Sequence, residues 1–242
     1  MTSTMFRRNP RVLLLAAAFA LLALPGVSPA ASLTATLDSV SSGYGFSYSN
    51  SANGANGSGL AVEQNWHITS GGGSGIPNNF KTFCVQLSQF VSFNSNYSYD
   101  IVPLENVPNT DAFGGPMATA KANSIREIFG RHYADVDTAQ EFSAFQISVW
   151  EIVYEKTLPY NLNDGNFTGS SDPSVITLAN SWLSGLDGEG PLANLVGLTN
   201  PTAQDHVTVA STPAPPGIIL AGIGAIGFAF GGFRRRFAGS VA

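Results

Sequence analysis

The chain has 242 residues, which is long enough for one sizeable folded domain together with terminal signals. Only 11% of the residues are charged, and Gly, Ser, Asn and Thr are abundant, as in extracellular β-rich domains. All 16 acidic residues but only five of the 11 basic ones lie between positions 31 and 210, so this part has a net charge of −11. We therefore exclude nucleic acid as a partner, because phosphate binding requires a basic surface.

The N-terminus has the layout of a secretory signal peptide. Arginines up to Arg11 precede an apolar run at 12–24, and Ser28 and Ala30 supply the small residues of a cleavage site. A membrane-spanning helix is the alternative, but the apolar run is too short for one. We expect residues 1–30 to be removed on export.

The next part of the chain is predicted to be rich in strands. Alternating apolar and polar residues favour strands separated by turns rich in Ser, Gly and Asn. The predicted strands are 32–40, 45–49, 60–70, 80–93, 97–104 and 206–210, with turns at 50–59 and 71–79 and a hairpin return at 94–96. In the fourth strand Phe83, Val85 and Leu87 share one face, while Thr82 and Cys84 lie on the other with Gln86.

Three helices are predicted between the last two strands. The first begins at Met117 and stops at Gly130. The second covers residues 138–155. The third begins at an Asp-Pro pair at 172–173, with proline in the first helical position, and ends at glycine 185 or 188.

The C-terminus predicts a membrane anchor. Residues 211–216 form a proline-rich linker, and 217–233 are uncharged, apolar and rich in glycine. Arg234, Arg235 and Arg236 follow and are typical of a cytoplasmic stop. We expect a short transmembrane helix at 217–236. The alternatives are a buried core helix and a lipid-anchor tail, although such tails normally end apolar.

The order of these elements predicts an α+β fold. The domain at 31–210 is expected to be a β-sandwich or barrel with an inserted three-helix subdomain at about residues 117–187. A signal peptide and a C-terminal transmembrane helix flank it.

The second helix has a clear start and a predicted polar side. Thr138 with Glu141 forms a capping box. At helical spacing, Ser143, Glu151 and Glu155 fall mainly on one side, which we interpret as a solvated face rather than a catalytic carboxylate pair.

The opposite side of this helix carries an amide among apolar residues. Phe142, Phe145 and Val149 form an apolar arc with Trp150 at its edge, and Gln146 lies inside this arc. A buried amide without partners costs about 1–3 kcal/mol. Gln146 is therefore either a core glutamine bonded to the backbone, or its carbonyl carbon is bonded to another residue.

No metal, cofactor or enzyme class is predicted. His67, His132 and His206 are scattered without ligand spacing. The chain has no serine-nucleophile elbow, phosphate loop or dinucleotide-binding glycine pattern.

The single cysteine, Cys84, is the candidate partner of Gln146. One cysteine in an exported chain forms no internal disulfide, so it is buried and inert, paired with another chain, or bonded to something else. A thiolate can attack the carboxamide carbon of a glutamine, release ammonia and leave a thioester. The sulfur must lie about 3–3.5 Å from that carbon, in a pocket that excludes water.

Two local sequences resemble the signature blocks of bacterial surface thioester domains. They are Phe-Cys-Val-Gln-Leu at 83–87 and Phe-Gln-Ile-Ser-Val-Trp-Glu at 145–151. The resemblance implies a β-sandwich with a helical subdomain, a bond between Cys84 and Gln146, and Trp150 packed beside it. A pocket of Phe83, Phe142, Phe145, Val149 and Trp150 would enclose the bond. The thioester would then react with a Lys amine or a hydroxyl group of a partner.

The C-terminus is similar to the PEP-CTERM sorting signal of Gram-negative bacteria. Pro213 and Pro215 precede the apolar segment and the three arginines, and Ala214 stands where the motif usually has Glu. The similarity implies signal peptidase and an exosortase-like enzyme as partners, transient contact with the inner membrane, and a final location on the cell surface or in the extracellular matrix.

Two functions follow as hypotheses. The first is an exported surface or matrix protein that forms an internal thioester for covalent attachment, acting at most once and therefore not as an enzyme. The second is a non-reactive structural or carbohydrate-associated matrix protein in which Cys84 is an ordinary buried thiol.

Overall fold

The computed structural model describes residues 31–72, 75–108, 115–156 and 158–211. The strands are β1 Ser32–Val40, β2 Tyr44–Asn50, β3 Ala55–Ala61, β4 Gln64–Gly71, β5 Asn79–Cys84, β6 Asn96–Pro103, β7 Phe167–Ser170, β8 Leu195–Thr199 and β9 His206–Val209. The helices are α1 Ala118–His132, α2 Ala139–Tyr154 and α3 Pro173–Ser184. The predicted signal peptide, most of the linker and the predicted transmembrane segment lie outside these residues. Within them, no helix has the length and apolar character needed to cross a membrane.

Six strands close into an antiparallel barrel, and three form a separate sheet. The barrel order is β1-β4-β5-β9-β8-β6, and the second sheet has the order β3-β2-β7. The α+β prediction is confirmed, and of its two forms the barrel is the one observed. The three helices lie between β6 and β9 in the chain, as predicted, but β7 and β8, which also lie there, were not predicted.

Two apolar cores hold these layers together. The barrel interior contains Leu33, Leu37, Trp66, Phe80 and Tyr99, all at most 5% exposed. The larger core lies among the barrel wall, the second sheet and the helices. Removing this apolar surface from water is the main favourable term in folding.

Helix α2 lies in the middle of the larger core. It packs against α1, α3 and strands β2, β3, β5 and β7. Its Thr138 cap is the predicted capping box, with Glu141 bonding back to the cap. Burial on all sides overturns the predicted solvated face, because Ser143 and Glu151 are 0% exposed and Glu155 is 1% exposed.

Several predicted boundaries are wrong. The turn predicted at 50–59 contains most of β3, which pairs with β2 along its full length. The strand predicted at 60–70 is therefore the end of β3 followed by β4, and the one predicted at 80–93 ends at Cys84. The predicted hairpin at 94–96 does not form, because β6 pairs with β1 and β8 rather than with β5.

Gly130 does not end α1, which continues to His132. Its role is close packing, because a Cβ at this position would collide with the carbonyl oxygen of Pro191. The chain after Pro191 is tied to the helix by a bond from the Ala193 amide to the Arg126 carbonyl oxygen, 3.0 Å long. The third helix, α3, has Asp172 as its N-cap and Gly185 as its C-cap, and both were predicted.

Candidate functional site

Cys84 is the last residue of β5, at a place where one neighbouring strand is missing. On one side it is opposite His206 of β9. On the other side β4 begins at Gln64, opposite Thr82, so no β4 residue lies opposite Cys84. The amide and carbonyl groups of Cys84 on this side therefore need another partner, because unpaired buried backbone groups are costly.

The side-chain amide of Gln146 supplies both missing hydrogen bonds. The Cys84 amide donates to Gln146 Oε1, and Gln146 Nε2 donates to the Cys84 carbonyl oxygen, each over 2.8 Å. Two residues that face each other as a hydrogen-bonded pair in an antiparallel sheet exchange the same two hydrogen bonds. Gln146 thus takes the place of a strand residue and lies directly against Cys84.

The pair is buried away from solvent. Cys84 is 2% exposed and Gln146 is 1% exposed. The thiol of Cys84 donates to the carbonyl oxygen of Gln86 over 2.7 Å. The structure therefore brings together the two residues that the sequence singled out. The Cys84 amide donates to Gln146 Oε1, the oxygen on which negative charge would develop if the Gln146 side-chain carbon were attacked.

Four of the five predicted pocket residues are buried in the core around this pair. Phe83 and Phe145 have ring centroids 4.7 Å apart, Val149 is 0% exposed, and Trp150 stacks on Phe46 at 5.4 Å. The fifth, Phe142, is only partly buried at the edge of the core.

Two further residues of α2 anchor the helix, one beside the site and one on β3, and sequence reasoning missed their roles. The Tyr154 hydroxyl accepts from the Leu87 amide at 2.9 Å and donates to the Val85 carbonyl oxygen at 3.3 Å. Ser143 Oγ donates to the Ala61 carbonyl oxygen at 2.7 Å. Tyr154 lies eight positions after Gln146, a spacing that returns to the same side of a helix and could have been noticed.

A network of amide side chains joins the site to an outer cleft. Gln204 Nε2 donates to the Gln86 carbonyl oxygen at 3.1 Å, the same oxygen that the Cys84 thiol contacts. Gln64 Nε2 donates to Gln204 Oε1 at 3.3 Å. Both Gln64 and Gln204 line a cleft of about 390 Å³.

The cleft is apolar and partly open to solvent. Leu60, Phe90 and Phe93 line it and are 51%, 75% and 53% exposed, whereas Trp150 at its buried end is 4% exposed. Exposed aromatic side chains around a concave site are typical of binding surfaces. Gln204, which lines this cleft, bonds to the same carbonyl oxygen as the Cys84 thiol and so links the cleft to the site.

A second buried polar cluster lies at the end of α2. Glu151 Oε1 accepts from the Asn161 amide at 2.8 Å, while its Oε2 has no hydrogen-bond partner among the described residues. Burial raises the pKa of Glu151 to about 8, with neighbouring Glu155 adding to the shift. Burial also lowers the pKa of nearby Lys121. The cluster orders the loop before β7.

Metal ligation and the sorting signal play no part in the described site. No group of His, Cys, Asp and Glu among the described residues is arranged to hold a metal ion. The sorting residues Pro213, Pro215 and Arg234 to Arg236 lie beyond residue 211. Comparison of the chain with protein families, curated proteins and solved structures gives no match.

Proposed function

We propose that the domain forms an internal thioester between Cys84 Sγ and the Gln146 side-chain carbon and uses it once to attach covalently to a partner. The observation that carries the proposal is the double hydrogen bond that holds the Gln146 amide on the Cys84 backbone in a dry core. Holding two reacting groups in this way replaces a bimolecular encounter with an intramolecular step. Because the bond is consumed in attachment, the protein acts in a single turnover and is not an enzyme.

The chemistry follows from the groups present. The Cys84 thiolate attacks the Gln146 carbon, and the Cys84 amide stabilises the oxygen that becomes negative. The C–N bond breaks, the amide nitrogen takes up a proton and leaves as ammonia, and the S–C bond remains. Exclusion of water by the surrounding core then protects the thioester from hydrolysis.

The biological setting is part of the same proposal. Signal peptidase would remove residues 1–30, and an exosortase-like enzyme would process the C-terminal signal at the inner membrane. The mature domain would act at the cell surface or in the extracellular matrix. The acidic character of residues 31–210 favours a partner that presents a lysine amine over one that presents a hydroxyl group.

A specific observation favours a second function. Both polar atoms of the Gln146 amide are bonded to backbone groups, and the Cys84 thiol donates to the Gln86 carbonyl oxygen. This is also how an unreactive core glutamine and a structural thiol would be satisfied. In that case the domain is a non-reactive structural or carbohydrate-associated matrix protein.

Intact mass of the purified domain distinguishes the two functions. We expect the wild-type domain to be lighter than its sequence by one ammonia, because thioester formation releases the Gln146 amide nitrogen. Cys84→Ser and Gln146→Glu should each have the full sequence mass, since each lacks one reacting group. Gln140→Glu is the matched control and should keep the deficit. A wild-type domain with its full mass and a titratable thiol would reject the thioester and leave the structural function.

The cleft provides the route for the attacking nucleophile in this proposal. We expect Gln204→Ala to speed the reaction of the thioester with methylamine about tenfold, equivalent to ~1.4 kcal/mol in the barrier. The reason is that Gln204 covers the Gln86 carbonyl oxygen beside Cys84. The reaction is followed by mass gain and by appearance of the Cys84 thiol.

Phe90→Ala is the control for this experiment. Phe90 lines the same cleft but is 75% exposed, so its truncation should leave the methylamine rate unchanged. Equal rates for Gln204→Ala and the wild type would show that the nucleophile does not pass Gln204.

A further inference from the structure

Strand β3 is an open edge of the second sheet. The order β3-β2-β7 gives it one neighbour, β2, and no other described strand pairs with its outer side. Natural sheets usually protect such an edge with charged side chains, proline or a covering segment, because an open row of backbone groups pairs readily with another chain. The sequence of β3, Ala-Asn-Gly-Ser-Gly-Leu-Ala, contains neither a charged residue nor a proline.

The hydrogen bonds of β2 determine which backbone groups of β3 face outward. The Ser51 amide donates to the Asn166 carbonyl oxygen at 2.8 Å, and the Gly45 carbonyl oxygen accepts from Ser171 Oγ at 2.7 Å. The backbone groups of odd-numbered residues in this stretch therefore face β7. Since the direction alternates along a strand, those of the even-numbered residues of β2 face β3.

The outward-facing residues of β3 follow from the register. The even-numbered residues of β2 lie opposite the odd-numbered residues of β3, which therefore carry the bonds between the two strands. The amide and carbonyl groups of Asn56, Ser58 and Leu60 consequently point away from β2. All three residues are exposed to solvent.

This open edge borders the apolar cleft. Asn56, Ser58 and Leu60 line the cleft together with the intervening Gly57 and Gly59. Because side chains alternate between the two faces of a strand, five consecutive residues line one cleft where the strand meets it edge-on. The outward row of donors and acceptors therefore belongs to the cleft wall.

The rest of the cleft suits apolar, uncharged groups. Leu87, Phe90, Val91 and Phe93 line it, and none of the described lining residues is charged. The surrounding domain, in contrast, is acidic, with a net charge of −11 between positions 31 and 210. A ligand of complementary chemistry is uncharged inside the cleft and basic on either side of it.

We propose that the edge of β3 binds an extended segment of a partner polypeptide as an additional strand. The segment pairs its backbone with Asn56, Ser58 and Leu60 and places alternate apolar side chains against the aromatic residues of the cleft. Lysines that flank the segment lie over the acidic surface. A second copy of the chain is a poorer occupant, because two domains of charge −11 repel each other. A neutral glycan would leave the backbone row of β3 unpaired.

The docked segment is linked to the thioester site through Gln204. This residue lines the cleft and bonds to the carbonyl oxygen that the Cys84 thiol contacts. The cleft therefore selects the partner whose lysine reacts, and this step alone rests on the proposed function. Binding of the segment itself does not require the thioester.

The test uses the full chain carrying Cys84→Ser, so that binding is measured without covalent attachment. The probe is a fluorescent peptide, Lys-Thr-Val-Thr-Val-Thr-Lys, followed by anisotropy. We expect saturable binding. Binding should weaken at least about tenfold when the three central amides of the peptide are N-methylated, because methylation removes donors to β3 but keeps every side chain.

Ser58→Pro is the matching change in the protein. It removes an outward amide that takes no part in the pairing with β2, and proline is tolerated on an edge strand in this orientation. We expect about tenfold weaker peptide binding. Ser58→Ala is the control, because it keeps the amide and should bind the peptide as the parent chain does.

Hydrogen exchange reports the pairing directly. Peptide binding should slow exchange at the amides of Asn56, Ser58 and Leu60, whereas those of Gly57 and Gly59, already bonded to β2, should not change. Absence of saturable binding, or equal affinity for the N-methylated peptide, overturns the inference. So does a dimer that Ser58→Pro dissociates, or binding of maltohexaose in place of the peptide. These outcomes leave the ammonia deficit of the wild-type protein untouched, and a full wild-type mass rejects the thioester without affecting peptide binding.

Discussion

Replacing Gln146 by alanine in a Cys84→Ser background is expected to lower the free energy of unfolding by about 3–5 kcal/mol. The substitution removes both 2.8 Å bonds to residue 84 and leaves a buried amide and a buried carbonyl group without partners. It also opens a cavity in a place where Gln146 is 1% exposed. The Cys84→Ser background removes the thioester from both proteins, so that only the packing and hydrogen bonds of Gln146 are compared.

Urea unfolding of the two proteins measures this difference. Gln140→Ala is the control, because it truncates the other glutamine of α2, whose amide bonds to the Ser174 carbonyl oxygen near the surface. Its cost should stay below ~1 kcal/mol, as for most exposed substitutions. A loss of less than 1 kcal/mol for Gln146→Ala would mean that Gln146 does not complete the sheet edge in solution.

The parts of the fold that were predicted correctly depend on local sequence. The Thr138 capping box and the Asp172-Pro173 start act within one turn, so spacing alone reveals them. The alternation around Cys84 is local too, because neighbouring strand residues must point to opposite faces. For this reason the sequence also placed Phe83 and Cys84 on different sides of β5.

The parts that were missed depend on distant partners. β3 is rich in Gly, Ser and Asn and reads as a turn, but it becomes a strand by pairing with β2. β5 and β6 follow each other in the chain, yet the barrel places β4 and β9 beside β5. Strand propensity carries no information about such long-range order.

The candidate site illustrates the same division. Sequence pattern identified Cys84 and Gln146, but not that Gln146 replaces a strand residue where β4 is absent. His206 was considered only as a metal ligand. Its position opposite Cys84 follows from the register of β9, which the sequence does not determine.

The predicted polar side of α2 was wrong for a related reason. A helix covered by neighbours on every side can keep carboxylates only where backbone amides meet them. Glu155 accepts from the amides of Asn166 and Phe167 at 2.7 and 3.0 Å, and Glu151 from that of Asn161. These donors lie in the loop after the helix and at the start of β7, so helical spacing could not reveal them.

Replacing Glu151 by glutamine is expected to make the domain more stable at pH 8 and to leave it almost unchanged at pH 4. Burial raises the pKa of Glu151 from 4.5 to about 8 in the folded protein. The folded state therefore holds a proton that the unfolded state has lost. The resulting stability is fully present below pH 4.5 and is lost as the pH rises to 8, by about 4 kcal/mol at the upper end. The side-chain oxygen of glutamine can accept the hydrogen bond from the Asn161 amide as the carboxyl group does, and glutamine does not ionise.

Glu141 provides a control of opposite sign on the same helix. Bonds from the backbone amides of Asp137 and Thr138 lower its pKa, so its contribution is present above pH 4.5 and lost as the pH falls. Glu141→Gln should therefore weaken the domain at pH 8 and converge with the wild type in acid. As the pH rises from 4 to 8, the urea midpoint of Glu151→Gln should increase relative to that of the wild type, and the midpoint of Glu141→Gln should decrease relative to it. A constant difference between Glu151→Gln and the wild type over this range would show that the Glu151 carboxyl group titrates normally, and that water reaches the end of α2.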